Sequence, residues 1–212
     1  MTFLIPPFEG RVAPKAPGGV SAVSAAKTST EKISSDPFAA VREATLAHRA
    51  QHGCGAYPYD NGALLGALAA AANARRVLEL GTALGYTALW FAHGAPQAVI
   101  DTIERDGEHV RLAREQVEAH GMAGHIVVHE GEFSEVMRRL DPGYDVAFFD
   151  GLTPSRPLLK EMRRLLRARG LLISANLTHT GAEAYLAALQ EKKSWLTAFI
   201  DEDHETALSI KL

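Results

Sequence analysis

The segment Glu79-Leu80-Gly81-Thr82-Ala83-Leu84-Gly85-Tyr86-Thr87 joins a short apolar run to a helical pattern and holds the residue types of a ligand-binding turn. Gly81 and Gly85 permit a tight turn and close backbone approach, and Glu79 puts a carboxylate beside a site for a cationic ligand group. The spacing is GxxxG. Ala83 stands where a dinucleotide loop needs its second glycine to admit a pyrophosphate, so the loop suits a ligand without phosphates. Glu104 follows the run VIDTI, 23 residues after Gly81, where a carboxylate can accept hydrogen bonds from both hydroxyls of a ribose. Gly131-Glu132-Phe133 follows a third apolar run; there a backbone amide and the Glu132 side chain can read the edge of an adenine while Phe133 contacts its face. Asp150 ends a fourth run, where it can meet a ligand ammonium, cap the next helix or take a proton. Each acid alone reads as well as a strand-end or helix-start carboxylate. Their order along successive strand and helix units argues for a site.

Those residues need a sheet whose strand ends line up. After Arg75 the chain alternates short apolar runs with helical stretches: RVLEL, AVIDTI, HIVVHE, DVAFFD and GLLISA, then WLTAFI and TALSIKL. Between the first five lie GYTALWFAHG, GEHVRLAREQVEAHG, EFSEVMRRL and RPLLKEMRRLLRARG, and in the second of these Val110, Ala113, Val117 and His120 recur at helical spacing. Strands each followed by a helix predict an α/β, doubly wound, mostly parallel sheet, because a parallel crossover needs a helix. The last two runs are separated only by Asp201 to Glu205, which predicts an antiparallel hairpin and a seventh, reversed strand. Upstream, Asp36-Pro37 predicts an N-cap and first-turn proline for a helix to about His52. A second helix from Asp60 to Asn73 is apolar on most sides and is predicted to lie buried against the sheet. Residues 1–35, rich in Pro, Gly, Ala, Ser and Thr, read as a flexible tail preceding a single domain over 36–212.

Composition narrows the classes. The net charge of -3, from 22 basic and 25 acidic residues spread along the chain, provides no general field for a polyanion, so nucleic acid is not the expected partner. The arginines 163, 164, 167 and 169 read as a solvated helix end. No apolar run reaches the length of a membrane span and MTFLIPPF lacks the pattern of a secretory signal, so a soluble, cytoplasmic protein is expected. The single cysteine, Cys54, excludes an internal disulfide and reads as a small half-buried residue beside Gly53 and Gly55. His125 and His129 lie four apart on a strand and do not read as a ligand pair. His179 reads as a surface loop histidine.

From about Gly55 onward, the segments YPYDNGALLGAL, VLELGTALGYTALWFA, TIERDGEHVRLAREQVEAHGM, GEFSEVMRRL and YDVAFFDG make the chain resemble the catechol and caffeoyl-CoA type O-methyltransferases and their bacterial small-molecule relatives, which have the class I methyltransferase fold. The resemblance implies that Glu79, Gly81 and Thr87 line the methionine end of S-adenosylmethionine (SAM), with Thr82 and Gly85 in the same loop. It implies that Glu104 holds the ribose, that Glu132 and Phe133 flank the adenine, and that Tyr57 lies near the cofactor. In that family a divalent metal is held by an aspartate after strand four and an Asp-Asn pair after strand five. Asp150 matches the first, but the pair reads Ala175-Asn176, and Thr153 stands where a lysine is common. Dropping from two carboxylates to one weakens an oxygen-ligated magnesium site, so Asp150 and Asn176 are at most residual metal ligands and metal dependence is expected to be weak or absent. The implied activity is SAM-dependent methyl transfer to a small-molecule acceptor, at oxygen, with Asp150 as the catalytic residue. A catalytically degenerate SAM-binding regulatory or partner protein and a tRNA or protein methyltransferase are the alternatives. Relatives of this type often form homodimers.

Overall fold

The computed structural model describes residues 36–212; the expected tail, 1–35, lies outside the described residues. Seven strands form one sheet in the order β3-β2-β1-β4-β5-β7-β6, with β1 Arg76–Leu80, β2 Val99–Glu104, β3 Ile126–Glu130, β4 Tyr144–Phe149, β5 Leu166–Ser174, β6 Trp195–Phe199 and β7 Ala207–Lys211. β1 to β5 pair in parallel, and β7 is antiparallel to both β5 and β6. The predicted doubly wound sheet with a reversed last strand is therefore observed. β1 and β4 are adjacent, and the strand order runs outward from them in opposite directions. This is the switch point, beyond whose carboxyl ends a ligand crevice forms.

Alternation along the strands builds a core on each face, because successive side chains point to opposite sides. Val77, Ile100, Val146, Phe148 and Ile173 pack on one side against α1 Ala39–His52, α2 Gly62–Ala71, α3 Tyr86–Gly94 and α4 Gly107–Ala119. Leu78, Leu80, Ile103, Phe149 and Leu172 pack on the other against α5 Phe133–Met137, α6 Arg156–Leu165 and α7 Glu183–Leu189.

Four local expectations change. Helix α1 starts at Ala39, because Asp36 closes a preceding turn by accepting from Phe38 N at 2.9 Å and also accepts from Tyr86 Oη at 2.7 Å. Helix α2 lies mainly against α3, with Leu65 and Ala69 joining the core on that face of the sheet. The residues of α3 from Tyr86 to Ala92 are all buried, and a Cβ on Gly94 would run into Gly66, so two glycines let the helices touch while Ala63, Ala67, Ala70 and Ala71 stay exposed. The stretch LRARG belongs to β5, not to the end of α6. Leu166 is buried opposite Tyr144, Arg167 Nε donates to Asp145 Oδ1 at 2.6 Å, and the register shifts around Arg169, whose φ is +62°. Helix α7, under two turns long, was not anticipated; Tyr185, Ala188 and Leu189 anchor it.

Candidate functional site

Register brings the switch point together. Leu80 pairs with Phe149, and Asp150 N donates to Leu80 O at 2.9 Å, so Gly81 and Asp150 leave the sheet side by side. A Cβ on Gly81 would lie 2.8 Å from Asp150 O, and its φ is +106°; only glycine fits this crossing. Ala83 and Gly85 also have positive φ, at +46° and +93°, and Gly85 caps the N-terminus of α3.

Beneath this loop lies Glu79, with no exposed surface. Thr87 Oγ1 donates to its Oε1 and Thr102 Oγ1 donates to its Oε2 at 2.5 Å, while Thr82 and Thr102 share a hydroxyl hydrogen bond. Glu79, Thr82, Thr87 and Thr102 thus form a closed buried network. The Thr82 and Thr87 hydroxyls are turned into the protein, and Glu79 acts on the crevice as a charge under the loop. Burial pushes its carboxyl up to about 7, with the Glu104 charge adding and the two threonine donors opposing. Asp150 is pushed up further, to about 8, again by burial first and then by the Glu79 charge, with the Asn176 amide opposing at 3.0 Å from Oδ1. No ion pair to either acid is found among the described residues. A buried carboxylate and a part-buried one whose proton affinity it raises make the crevice receptive to a cation.

Glu104 stands across the loop at the end of β2. Its Oε2 accepts from Ala83 N at 3.0 Å and its Oε1 from Arg105 N and Asp106 N at 2.9 and 3.0 Å. The carboxylate is fixed by the backbone it faces, with one lone-pair direction on Oε2 left over. Gly131 N donates to Glu104 O at 2.9 Å, which brings Glu132 and Phe133 to the same end of the sheet. Glu132 is exposed, 3.7 Å from Arg105, and Phe133 packs on Phe149 and over Gly151. Tyr57 is 50% exposed, between α1 and α2, with Arg49 5.1 Å above its ring, and it makes no hydrogen bond to the loop residues.

At the β4 and β5 ends, Asn176 has φ +61° and donates through Nδ2 to Asp150 Oδ1 and Gly151 O. Thr153 and His179 are exposed, and His179 Nδ1 is 3.2 Å from Asn176 O. Two residues of this site escaped the sequence. Thr102 looks like any β-branched residue in a strand. Tyr59 lies against Phe148 with its hydroxyl 3.4 Å from Thr206, and burial, reinforced by the nearby Asp150 charge, pushes its phenol up. The YPYD segment carried a signal, but Tyr57 drew it.

The profile of the O-methyltransferase family matches residues 26–205. The chain belongs to the O-methyltransferase family. Two curated relatives carry the name "Putative O-methyltransferase". One, from Mycobacterium sp. (strain JLS), is 35% identical over 148 residues, 68% of this chain and 66% of the relative. Another, from Mycolicibacterium vanbaalenii, is 36% identical over 125 residues, 57% of this chain and 55% of the relative. The matches thus span less than two thirds of these relatives' length. Among solved structures, cofactor-bound Rv0187 from MTB is 26% identical with a TM-score of 0.73, over 86% of this chain and 93% of that one. The O-methyltransferase TomG from Streptomyces achromogenes, solved in complex with SAM, shares the fold at 22% identity and a TM-score of 0.68, over 81% and 89%.

In this member of the family, the β4–β5 end does not fit a magnesium ion. Ala175 offers no side-chain ligand atom and Asn176 turns its amide donor toward Asp150, which leaves Asp150 as the one carboxylate of the three positions. The arginines 163, 164, 167 and 169 do not make one basic face either: Arg163 lies over Trp195, Arg164 donates to Met137 O and Glu161, and Arg167 binds Asp145. No helix among the described residues is long and apolar enough to cross a membrane.

Proposed function

We propose that this chain is a SAM-dependent O-methyltransferase that methylates a hydroxyl of a small molecule without a metal ion. The observation that carries the reading is the pair of acids, buried Glu79 and part-buried Asp150, at a switch point walled by the Gly81–Gly85 loop and Glu104. SAM brings two cationic groups, an ammonium and a sulfonium, and no phosphate. When bound it supplies an electrophilic methyl group.

In this reading Glu104 receives the ribose hydroxyls and Glu132 and Phe133 flank the adenine. Gly81 and Gly85 let the loop backbone approach, and Glu79, held by Thr87 and Thr102, supplies negative charge beneath the methionine end. Thr82 serves by bracing Thr102, and Tyr57 borders the entrance. Asp150 is the catalytic residue: with its proton affinity raised to about 8, it takes the proton from the acceptor hydroxyl as the oxygen gains its methyl group, and Asn176 keeps the carboxylate in place. Holding the acceptor oxygen close and aligned supplies the remainder of the acceleration.

Calorimetric titration of SAM, with and without magnesium, tests the cofactor half. Micromolar binding is expected, indifferent to magnesium and weakened about 10- to 100-fold in Glu104→Ala, the equivalent of about 1.5–3 kcal/mol for hydrogen bonds to a charged group. Absence of binding, or equal affinity in the variant, would overturn the assignment.

A further inference from the structure

Three residues from separate parts of the sequence meet beside α4, behind Glu104. His48 lies in α1, Cys54 follows its end, and His109 is in the first turn of α4. Gly53, left-handed at φ +64°, turns the chain so that Cys54 folds back toward the helix. One ligand atom from each, two imidazole nitrogens and the thiol sulfur, lie within 4.8 Å of one another.

His109 supplies an independent sign. It is 6% exposed, and its Nε2 is buried with no hydrogen-bond partner among the described residues. Its other nitrogen, Nδ1, faces Glu104 Oε1 at 3.9 Å. The carboxylate lies on the Nδ1 side of the ring, beyond hydrogen-bond distance, and in the Nδ1–H tautomer the imidazole keeps a lone pair on Nε2 in an enclosed place. An unsatisfied buried group of this kind is costly, and a ligand on that nitrogen removes the cost.

We propose that His48, Cys54 and His109 form a binding site for a divalent ion of the zinc class, with the fourth position taken by water. Thiolate and imidazole select such an ion over magnesium. Bonds of about 2.0–2.3 Å in tetrahedral geometry put ligand atoms about 3.5 Å apart, so the three groups close by roughly 1 Å. His48 and Cys54 are only half-buried and can turn to do this. On binding, the Cys54 sulfur forms its bond to the metal and its proton passes to solvent; both imidazoles bind neutral, and nothing is oxidised or reduced. The ion ties the end of α1 to the helix that starts beside Glu104. This site is separate from the β4–β5 end and stands whether or not the methyl-transfer reading does.

The test uses the full chain without a tag, stripped by a chelator and titrated with Co²⁺ under reducing conditions. One Co²⁺ per chain is expected, with tetrahedral visible bands and a thiolate-to-cobalt charge-transfer band, displaced by an equivalent of Zn²⁺. Cys54→Ser is expected to lose the charge-transfer band and His48→Gln to weaken binding at least tenfold, while exposed His179→Gln leaves the titration unchanged. Absence of the charge-transfer band in the unmodified chain overturns the site, as does a titration of Cys54→Ser and His48→Gln that matches the unmodified chain.

Discussion

At the end of β1 and β2 both carboxylates have hydrogen-bond donors on each oxygen: Glu79 has Thr87 and Thr102, and Glu104 has three backbone amides. At the end of β4 and β5, Asp150 has one donor, from a residue whose own backbone is left-handed, and its neighbours Leu152 and Thr153 are exposed. The first region is set by the protein's internal bonds, so a ligand meets a shape that already exists. The second is held by little besides its backbone, and its chemistry can be exchanged without disturbing the sheet. In the proposed reading, that difference lets the chain keep a cofactor half while Ala175 and Thr153 stand where the resemblance implies other residues at the acceptor half.

The contrast can be broken most severely at Gly81. Gly81→Ala combines overpacking against Asp150 O, about 1–3 kcal/mol, with a positive φ that costs at least about 1 kcal/mol more. A loss of roughly 5–15 °C in melting temperature is expected, at about 2–4 °C per kcal/mol, together with loss of SAM binding. Gly85→Ala should cost less, because its Cβ meets only ordinary contacts 3.7 Å away and the positive φ of +93° is the one penalty it shares with Gly81; scanning calorimetry of the two variants checks the order.

Asp150→Asn sharpens the comparison from the other side. Turnover is expected to fall about 10²- to 10⁴-fold, the usual worth of a general base, while SAM affinity moves by less than about tenfold. In the unmodified protein kcat/KM should rise with pH to a midpoint near 8, and the variant should lose that dependence.

Stability against pH comes next. Glu79 and Asp150 have folded values raised to about 7 and about 8 from 4.5 and 3.8, so the native state binds more protons than the unfolded state between these limits. Their contribution is full below about pH 4 and is lost as pH rises through 7 and 8. Melting of the ligand-free protein should fall by several degrees from pH 5 to pH 8, Glu79→Gln should flatten the decline, and saturating SAM should offset it.

The smallest expected effect is that of Thr102→Val, which removes one donor from Glu79 at nearly constant volume. Its carboxyl should rise further, and SAM affinity at pH 7 should fall about three- to tenfold, in line with one buried hydrogen bond of about 1 kcal/mol. An unchanged affinity would mean that the threonine network is only a packing feature.

Much of this was legible from residue order. The apolar runs located all seven strands, since a buried strand has a strong period or none and little in between. The positions of Gly81, Glu104, Glu132 and Asp150 at strand ends followed from the same count. Helix α7 escaped because EAYLAAL is too short to display a helical period, and the start of β5 because arginines at a bulge look like a helix end. Thr102 and Tyr59 escaped for a different reason: their roles depend on neighbours 23 residues and more away, Glu79 and Thr206.

Sequence by itself determined the seven strands and the longer helices between them, and therefore which residues reach the carboxyl edge of the sheet, because those outcomes depend on local periodicity and glycine placement. Only the tertiary structure decided what surrounds each of them. It enclosed Glu79 among three threonines, left Asp150 with a single donor, and gathered His48, Cys54 and His109 at one point. Proton affinity, hydrogen bonding and metal ligation depend on distance and burial, and chain order specifies neither until the chain has folded.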